Sequence, residues 1–324
     1  MISADHVGRV FGPYVYPVEA ARISRLAAAV GEQHPLYHDE FAARAAGLPA
    51  LPAPPTLATC YGLWANQALL AELDALGAPL PRQLHGEQHY TYFAPVFAGD
   101  TLTARVTLAG LEQKRGQSGP FQLLTLETHL QNQRGELAIV DRLVSVLRGA
   151  ADESGADAAP ARAARPVGPP PAPVGAPLVA SVPVPLFVED VQPGLALPEL
   201  VAPALTGADF VRYAEASNDD NPLHTDEAHA RSTGLDGVIA HGMLLMGHMG
   251  RLATALAGPS GVHTFGVRFR GQTKPGDLLC YGGRVTAVHE GDGQGMLEAE
   301  LWARAADGAL RASGTLLAVL PQRR

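Results

Sequence analysis

The chain is written twice. An offset of 187 residues lays Gly31-Glu-Gln-His-Pro-Leu-Tyr37 on Asn218-Asp-Asp-Asn-Pro-Leu-His224, Asp39-Glu40 on Asp226-Glu227, and Gly47-Leu48 on Gly234-Leu235. At shorter offsets, Tyr92–Asp100 answers Phe269–Asp277 and Arg134–Leu147 answers Asp307–Leu320. Several matches in one order indicate a duplication, so both halves must adopt one kind of unit. Between them, residues 149–177 are dominated by Ala, Pro and Gly and nearly lack large apolar residues, the composition of a linker. The expected organisation is an N-terminal unit over 1–148, the linker over 149–177 and a C-terminal unit over 178–324.

The second half is the more legible. A short helix is predicted over Ala208–Ala216, then the Asn218–His224 loop, a second short helix over 226–232 and a long apolar helix over 241–257. Strands follow over 262–269, 277–288, 295–305 and 309–319, separated by turns rich in Gly and Asp. A helix apolar on all sides, followed by a run of antiparallel strands, implies an α+β unit with the helix buried against a sheet. In the first half, Pro49, Pro52, Pro54 and Pro55 crowd the entrance of the matching helix, which should delay or distort its start. The segment Leu57–Leu70 keeps helical character.

The bulk composition excludes several classes. The 24 basic residues against 32 acidic give a formal charge of −8, the wrong balance for a nucleic-acid-binding face. A local Arg/Lys patch could still meet an anionic small ligand. The two cysteines, Cys60 and Cys280, provide neither a disulfide framework nor a metal cluster. No apolar run reaches membrane-spanning length, and MISADHVGRVFGPYV lacks the basic start and apolar core of a signal peptide. A cytoplasmic location and no membrane partner are therefore expected.

The run Ser217-Asn-Asp-Asp-Asn-Pro-Leu-His224, followed by Ile239-Ala-His-Gly-Met243, resembles the signature of the MaoC-like (R)-specific enoyl-CoA hydratases and (3R)-hydroxyacyl dehydratases. The resemblance covers nearly all the chain outside the linker and is strongest from Phe210 to Asp277. It implies a double hot-dog: two curved antiparallel sheets, each wrapped around a central helix. The first half resembles the degenerate N-terminal lobe of such proteins and the partner subunit of heterodimeric dehydratases. Carried over residue by residue, the resemblance makes Asp219 and His224 the catalytic pair. Asn221 becomes the supporting asparagine, and Gly242 the glycine whose N–H faces the thioester oxygen. Asn218 departs from the glycine usual at its position, although asparagine tolerates left-handed backbone angles. The implied reaction is reversible hydration of a trans-2-enoyl thioester to the (3R)-3-hydroxyacyl thioester, a hydro-lyase activity of fatty acid metabolism. Its partners would be acyl-CoA or acyl-ACP, with a homodimer as a candidate assembly. No cofactor is implied beyond the CoA or phosphopantetheine that the substrate carries.

These residue types suit that chemistry. Water adds at C3, a proton arrives at C2, and charge develops on the thioester oxygen, so a base, an acid and an oxyanion donor are required. His224 can take a proton from water, and Asp219 can hold the same water and pass a proton to C2. If a helix begins near His241, its first N–H groups lack intrahelical acceptors, and Gly242 can present one unobstructed. Loss of one such donor elsewhere costs about 3–4 kcal/mol of transition-state energy. Taken alone, D-x-N-P before a helix is also an ordinary turn and N-cap composition. Asp220 reads as a solvated loop residue, His248 as a packed core histidine and His229 as an exposed one. The histidine spacing predicts no metal site.

The first half loses each part. Asp219 meets Glu32, Asn221 meets His34, His224 meets Tyr37, and His241-Gly242 meets Pro54-Pro55. Tyrosine is a poor base at neutral pH and proline has no N–H to offer an oxyanion. This lobe is expected to be silent, with a relocated site at Glu32 or His34 as the open alternative. Arg268, Arg270 and Lys274 are candidates for contact with substrate phosphates, and equally for ordinary solvated residues; the two arginines share a strand face opposite Val267 and Phe269. Rival readings are a hot-dog thioesterase, which usually carries a carboxylate on the central helix, and a non-catalytic acyl-thioester-binding or structural partner. Helix 241–257 has no Asp or Glu, and the Asp219, His224 and Gly242 set is intact.

Overall fold

In the computed structural model, residues 1–116, 119–149, 186–291 and 294–323 are described. The expected linker, apart from Gly149, and the expected start of the C-terminal unit at 178 lie outside them. The N-terminal lobe runs β1 (Val10–Pro17), α1 (Ala20–Ala29), α2 (Glu40–Ala45), α3 (Gln67–Ala75), β2 (Gln83–Tyr92), β3 (Thr101–Gly116), β4 (Gly119–Gln131) and β5 (Leu137–Arg148). The C-terminal lobe runs β6 (Leu200–Val201), α4 (Gly207–Ser217), α5 (Glu227–Ser232), α6 (Gly242–Ala257), β7 (Val262–Phe269), β8 (Leu279–Gly291), β9 (Gln294–Ala305) and β10 (Leu310–Pro321). No helix among the described residues is long and apolar enough to cross a membrane.

The two expected sheets are joined. β2 of one lobe pairs antiparallel with β7 of the other, Gln88 opposite Val267 and Tyr90 opposite Phe265. One ten-stranded sheet results, in the order β1-β3-β4-β5-β2-β7-β10-β9-β8-β6. Each half is a hot-dog sheet, and the joint removes one edge strand from each. A main core continues across the joint, and a second lies inside the N-terminal lobe, where Trp64, Leu69, Leu70 and Leu73 pack on Val106, Leu108, Leu124 and Leu143.

The helices show what the duplication preserved. α6 is unbroken and buried on nearly every side, from Met243 to Ala257. Its N-terminal-lobe counterpart is not a helix of that length. After Pro54-Pro55 the chain makes separate 3-10 turns at Leu57–Tyr61 and Leu63–Ala65, and α-helix resumes only at Gln67. The helical character expected for Leu57–Leu70 is thus realised in only its last residues, because the prolines remove donors at the start. The space is filled by side chains of the second core.

α6 also packs against the other lobe. A Cβ placed on Gly247 would run into Cγ1 of Val30, at the end of α1. Alanine favours a helix over glycine by about 0.8–1 kcal/mol, whereas overpacking a core typically costs about 1–3 kcal/mol. Gly247→Ala should therefore lower the thermal midpoint, and Val30→Ala in the same chain should recover part of the loss. Equal midpoints for Gly247→Ala and the wild type would contradict this packing.

Candidate active site

The loop after α4 is shaped by one left-handed residue. Asn218 caps the helix at φ 61° and ψ 19°, and it is the one non-glycine with positive φ among the described residues. Its repeat equivalent, Gly31, sits at φ 70°. The departure from glycine noted in the sequence thus keeps the required backbone. Arg22 of α1 holds this turn from the other lobe, its Nη1 donating to Asn218 Oδ1 at 2.6 Å and to the Ala216 carbonyl at 3.1 Å.

Past the turn, both loops share one hydrogen-bond frame. Asp219 Oδ1 accepts from Asn221 N–H at 3.3 Å, and Asn221 Oδ1 accepts from Leu223 N–H at 3.2 Å. In the first lobe, Glu32 Oε1 accepts from His34 N–H at 2.8 Å and His34 Nδ1 from Leu36 N–H at 3.2 Å. Asn221 is buried, and its side chain ties the loop to Leu223. In the first lobe the same frame carries different side chains. Glu32 lies 4.0 Å from the Arg251 guanidinium, Tyr37 is buried with its hydroxyl pushed well above its ordinary range, and Pro55 occupies the place of Gly242.

In the second lobe the expected residues converge. Asp219, Asn221, His224 and Gly242 line one cavity of about 200 Å³, together with Ile239, His241, Met243 and Phe269, and with Trp64, Gln83, Leu84 and His85 from the first lobe. Burial raises the Asp219 carboxyl to about 7 and lowers the His224 imidazole to about 4. His224 Nδ1 lies 2.8 Å from the Ile239 carbonyl, which can only accept, so the neutral ring carries its proton on Nδ1 and leaves Nε2 as a base. Gly242 opens α6, whose N-cap residue His241 makes no side-chain capping bond. The Phe269 ring lies 3.0 Å from where a Gly242 Cβ would be, so a side chain at 242 would have to displace that ring.

His241 does more than mark the start of the helix. It is buried, its Nε2 donates to the Asp219 carbonyl at 3.2 Å, and its ring lies 3.7 Å from that of His224 at 30°. It props both members of the pair, with Tyr213 5.0 Å behind it. Contrary to the sequence spacing, Asp219, His224 and His241 bring one potential metal-ligand atom each within 4.8 Å of one another. Helical spacing could not register them, because three separate segments supply them. One nitrogen of each ring already serves a backbone carbonyl, which leaves His224 Nε2 and His241 Nδ1 as the remaining ring nitrogens.

Other expected residues stand outside. Arg268 pairs with Glu87 at 3.1 Å, Arg270 Nε donates to Ser313 Oγ at 3.0 Å, and Lys274 pairs with Asp236 at 2.8 Å. None of the three lines the cavity. Asp220 is exposed, and His248 is a core histidine stacked on Tyr281 at 4.9 Å. Trp64 and His85 were missed by sequence reasoning, since only the sheet joint brings them here.

The left-handed turn can be tested directly. Both Asn218→Gly and Asn218→Val lose the exposed bond from Arg22, worth about 0.5–1 kcal/mol. Asn218→Val should cost about 1–2 kcal/mol more than Asn218→Gly in a denaturant melt, because a β-branched residue resists φ 61°. Equal melts for the two variants would remove the argument for strain at this position.

Comparison with known proteins agrees with this architecture. Residues 5–141 match the family described as FAS1-like, dehydratase domain region, and residues 192–301 match the MaoC like domain. A UPF0336 protein of Saccharopolyspora erythraea is 32% identical over 159 residues, which is 48% of this chain and 99% of that one. A UPF0336 protein of Thermobifida fusca is 30% identical over 149 residues, 46% of this chain and 95% of that one. A solved structure described as a MaoC-like dehydratase superposes with a TM-score of 0.77 at 24% identity, covering 98% of this chain and 99% of the other. A Mycobacterium tuberculosis protein described as having a double hotdog fold gives 0.63 at 16% identity, covering 97% and 96%. The chain thus joins a FAS1-like dehydratase region to a MaoC like domain in a double hot-dog fold, and over its first half it belongs with the UPF0336 proteins.

Proposed function

We propose that the C-terminal lobe reversibly hydrates a trans-2-enoyl thioester to the (3R)-3-hydroxyacyl thioester. The reading rests on one observation: Asp219, His224 and the first turn of α6 at Gly242 meet in a single cavity. In hydration, His224 Nε2 takes a proton from water as its oxygen bonds to C3. The C2=C3 pair shifts toward the thioester, whose oxygen is stabilised by the Gly242 N–H and the positive end of α6. Protonated Asp219 then delivers a proton to C2, and proton return from His224 to Asp219 resets the pair. Acid and base on one face of the alkene give syn addition. Dehydration reverses each step.

This chemistry uses no cofactor beyond the CoA or phosphopantetheine of the substrate, and we place it in the cytoplasm. For a substrate phosphate, Arg270 is the most available cation, because Arg268 and Lys274 would have to leave Glu87 and Asp236. The core-like placement of α6, without an acid on it, disfavours a thioesterase.

Incubation with trans-2-enoyl-CoA thioesters should change the enoyl absorbance, and Asp219→Asn or His224→Ala should each lower turnover by at least about a hundredfold. Full activity in both variants would remove the site assignment. Hydration needs neutral His224 and protonated Asp219, so kcat/KM should fall below about pH 4 and above about pH 7. A rate that rises through pH 7 and stays high would instead make the Asp219 carboxylate the base. The folded-state value of Asp219 is raised, so its contribution to stability is full below the ordinary carboxylate range and is lost as pH rises through about 7. Asp219→Asn should accordingly melt no lower than the wild type at about pH 8.

A further inference from the structure

Part of the cavity wall is built by the first lobe. The cavity lining includes exposed Gly271 and Gln272 and, among the buried residues, Leu223 and Met243 of the second lobe and Trp64 and Gln83 of the first. Entry of the thioester arm beside Gly271 and Gln272 leaves these buried residues, Trp64 among them, to enclose the acyl group. The polar side chains that the first lobe contributes are already engaged with one another or with the backbone. The Trp64 indole N–H, which can only donate, bonds His85 Nδ1 at 3.1 Å. His85 then carries its proton on Nε2 and donates to Gln88 Oε1 at 3.0 Å, and Gln88 donates in turn to buried Asp141. The His85 ring meets Phe269 edge-on at 4.9 Å. Gln83 donates to the Ala78 carbonyl at 2.7 Å and accepts from Ser145 at 3.1 Å.

Two further features restrict the occupant. The lining contains no Lys or Arg, and its one acid is Asp219. A carboxylate at the far end of an acyl group would be buried without a cation to pair with, an arrangement that strongly disfavours binding. The volume of about 200 Å³ is below the roughly 300 Å³ at which pockets for drug-sized ligands begin, too small for a polycyclic group.

Resting on the hydratase reading above, we infer that the acyl group is short, neutral and apolar, and that Trp64, locked by His85, sets its length limit. The Trp64–His85–Gln88–Asp141 chain fixes the wall in one orientation. The lobe without catalytic residues thereby determines specificity for the lobe that has them.

The test is a kcat/KM series on the full chain with trans-2-butenoyl-, trans-2-hexenoyl- and trans-2-decenoyl-CoA and with a 2-enoyl-CoA carrying a second carboxylate. The shortest two should be best, with decenoyl lower by at least about tenfold and the dicarboxylic thioester by about a hundredfold. Trp64→Ala should raise decenoyl relative to butenoyl turnover by about tenfold, while Trp64→Phe keeps the wild-type order. If Trp64→Ala does not fold, Trp64→Leu supplies the same comparison with more of the core filled. Preference of the wild type for decenoyl or for the dicarboxylic thioester, or an unchanged length profile in the folded small-residue variant, would overturn this inference and leave the hydratase reading standing. Failure of every thioester in the series would overturn both.

Discussion

The ladder between β2 and β7 is the interaction on which the rest depends. It makes two sheets into one and fixes the lobes at a register set by Gln88 opposite Val267 and Tyr90 opposite Phe265. Because β2 begins where β7 ends, the first residues of β2 reach the cavity at the start of α6. Without this pairing, Asp219 and His224 would face a cavity open on one side. With it, they face Trp64 and His85. Arg22, which reaches from α1 to the Asn218 turn, adds a second tie between the lobes at the Asp219–His224 loop.

The duplicated loop separates what the fold needs from what the reaction needs. Both copies retain a left-handed residue, a side-chain bond back to the following backbone, a Pro-Leu pair and an acidic N-cap for the next helix at Asp39 or Asp226. These features fix backbone shape. Only the second copy has a buried acid free of a cation, an imidazole and an N–H at the helix start. In the first copy, Glu32 instead faces Arg251 of α6, so its charge serves the contact between lobes.

The parts legible in the sequence were those encoded locally. The loop motif, the helix start at Gly242 and the alternation of Val267 and Phe269 against Arg268 and Arg270 each lie within a few residues, and the repeat supplied an internal control. The proline cluster at 49–55 foretold trouble for the first central helix, but its replacement by 3-10 turns depended on how Trp64, Leu69 and Leu73 fill the lobe. The support by His241, the convergence of three ligand-type side chains and the wall at Trp64 and His85 depend on contacts between segments far apart in sequence. For His241, the remaining local signal was a histidine at a helix start between apolar residues.

The sheet joint also bears on how the site responds to dilution. A cavity walled by two lobes would, if they were separate chains, be complete only to the extent that the chains associate. Here both lobes belong to one polypeptide, so the second half of the wall is present at an effective concentration set by the connecting chain and not by the amount of protein. A cavity walled by two lobes of one chain thus stays whole even when the protein is scarce.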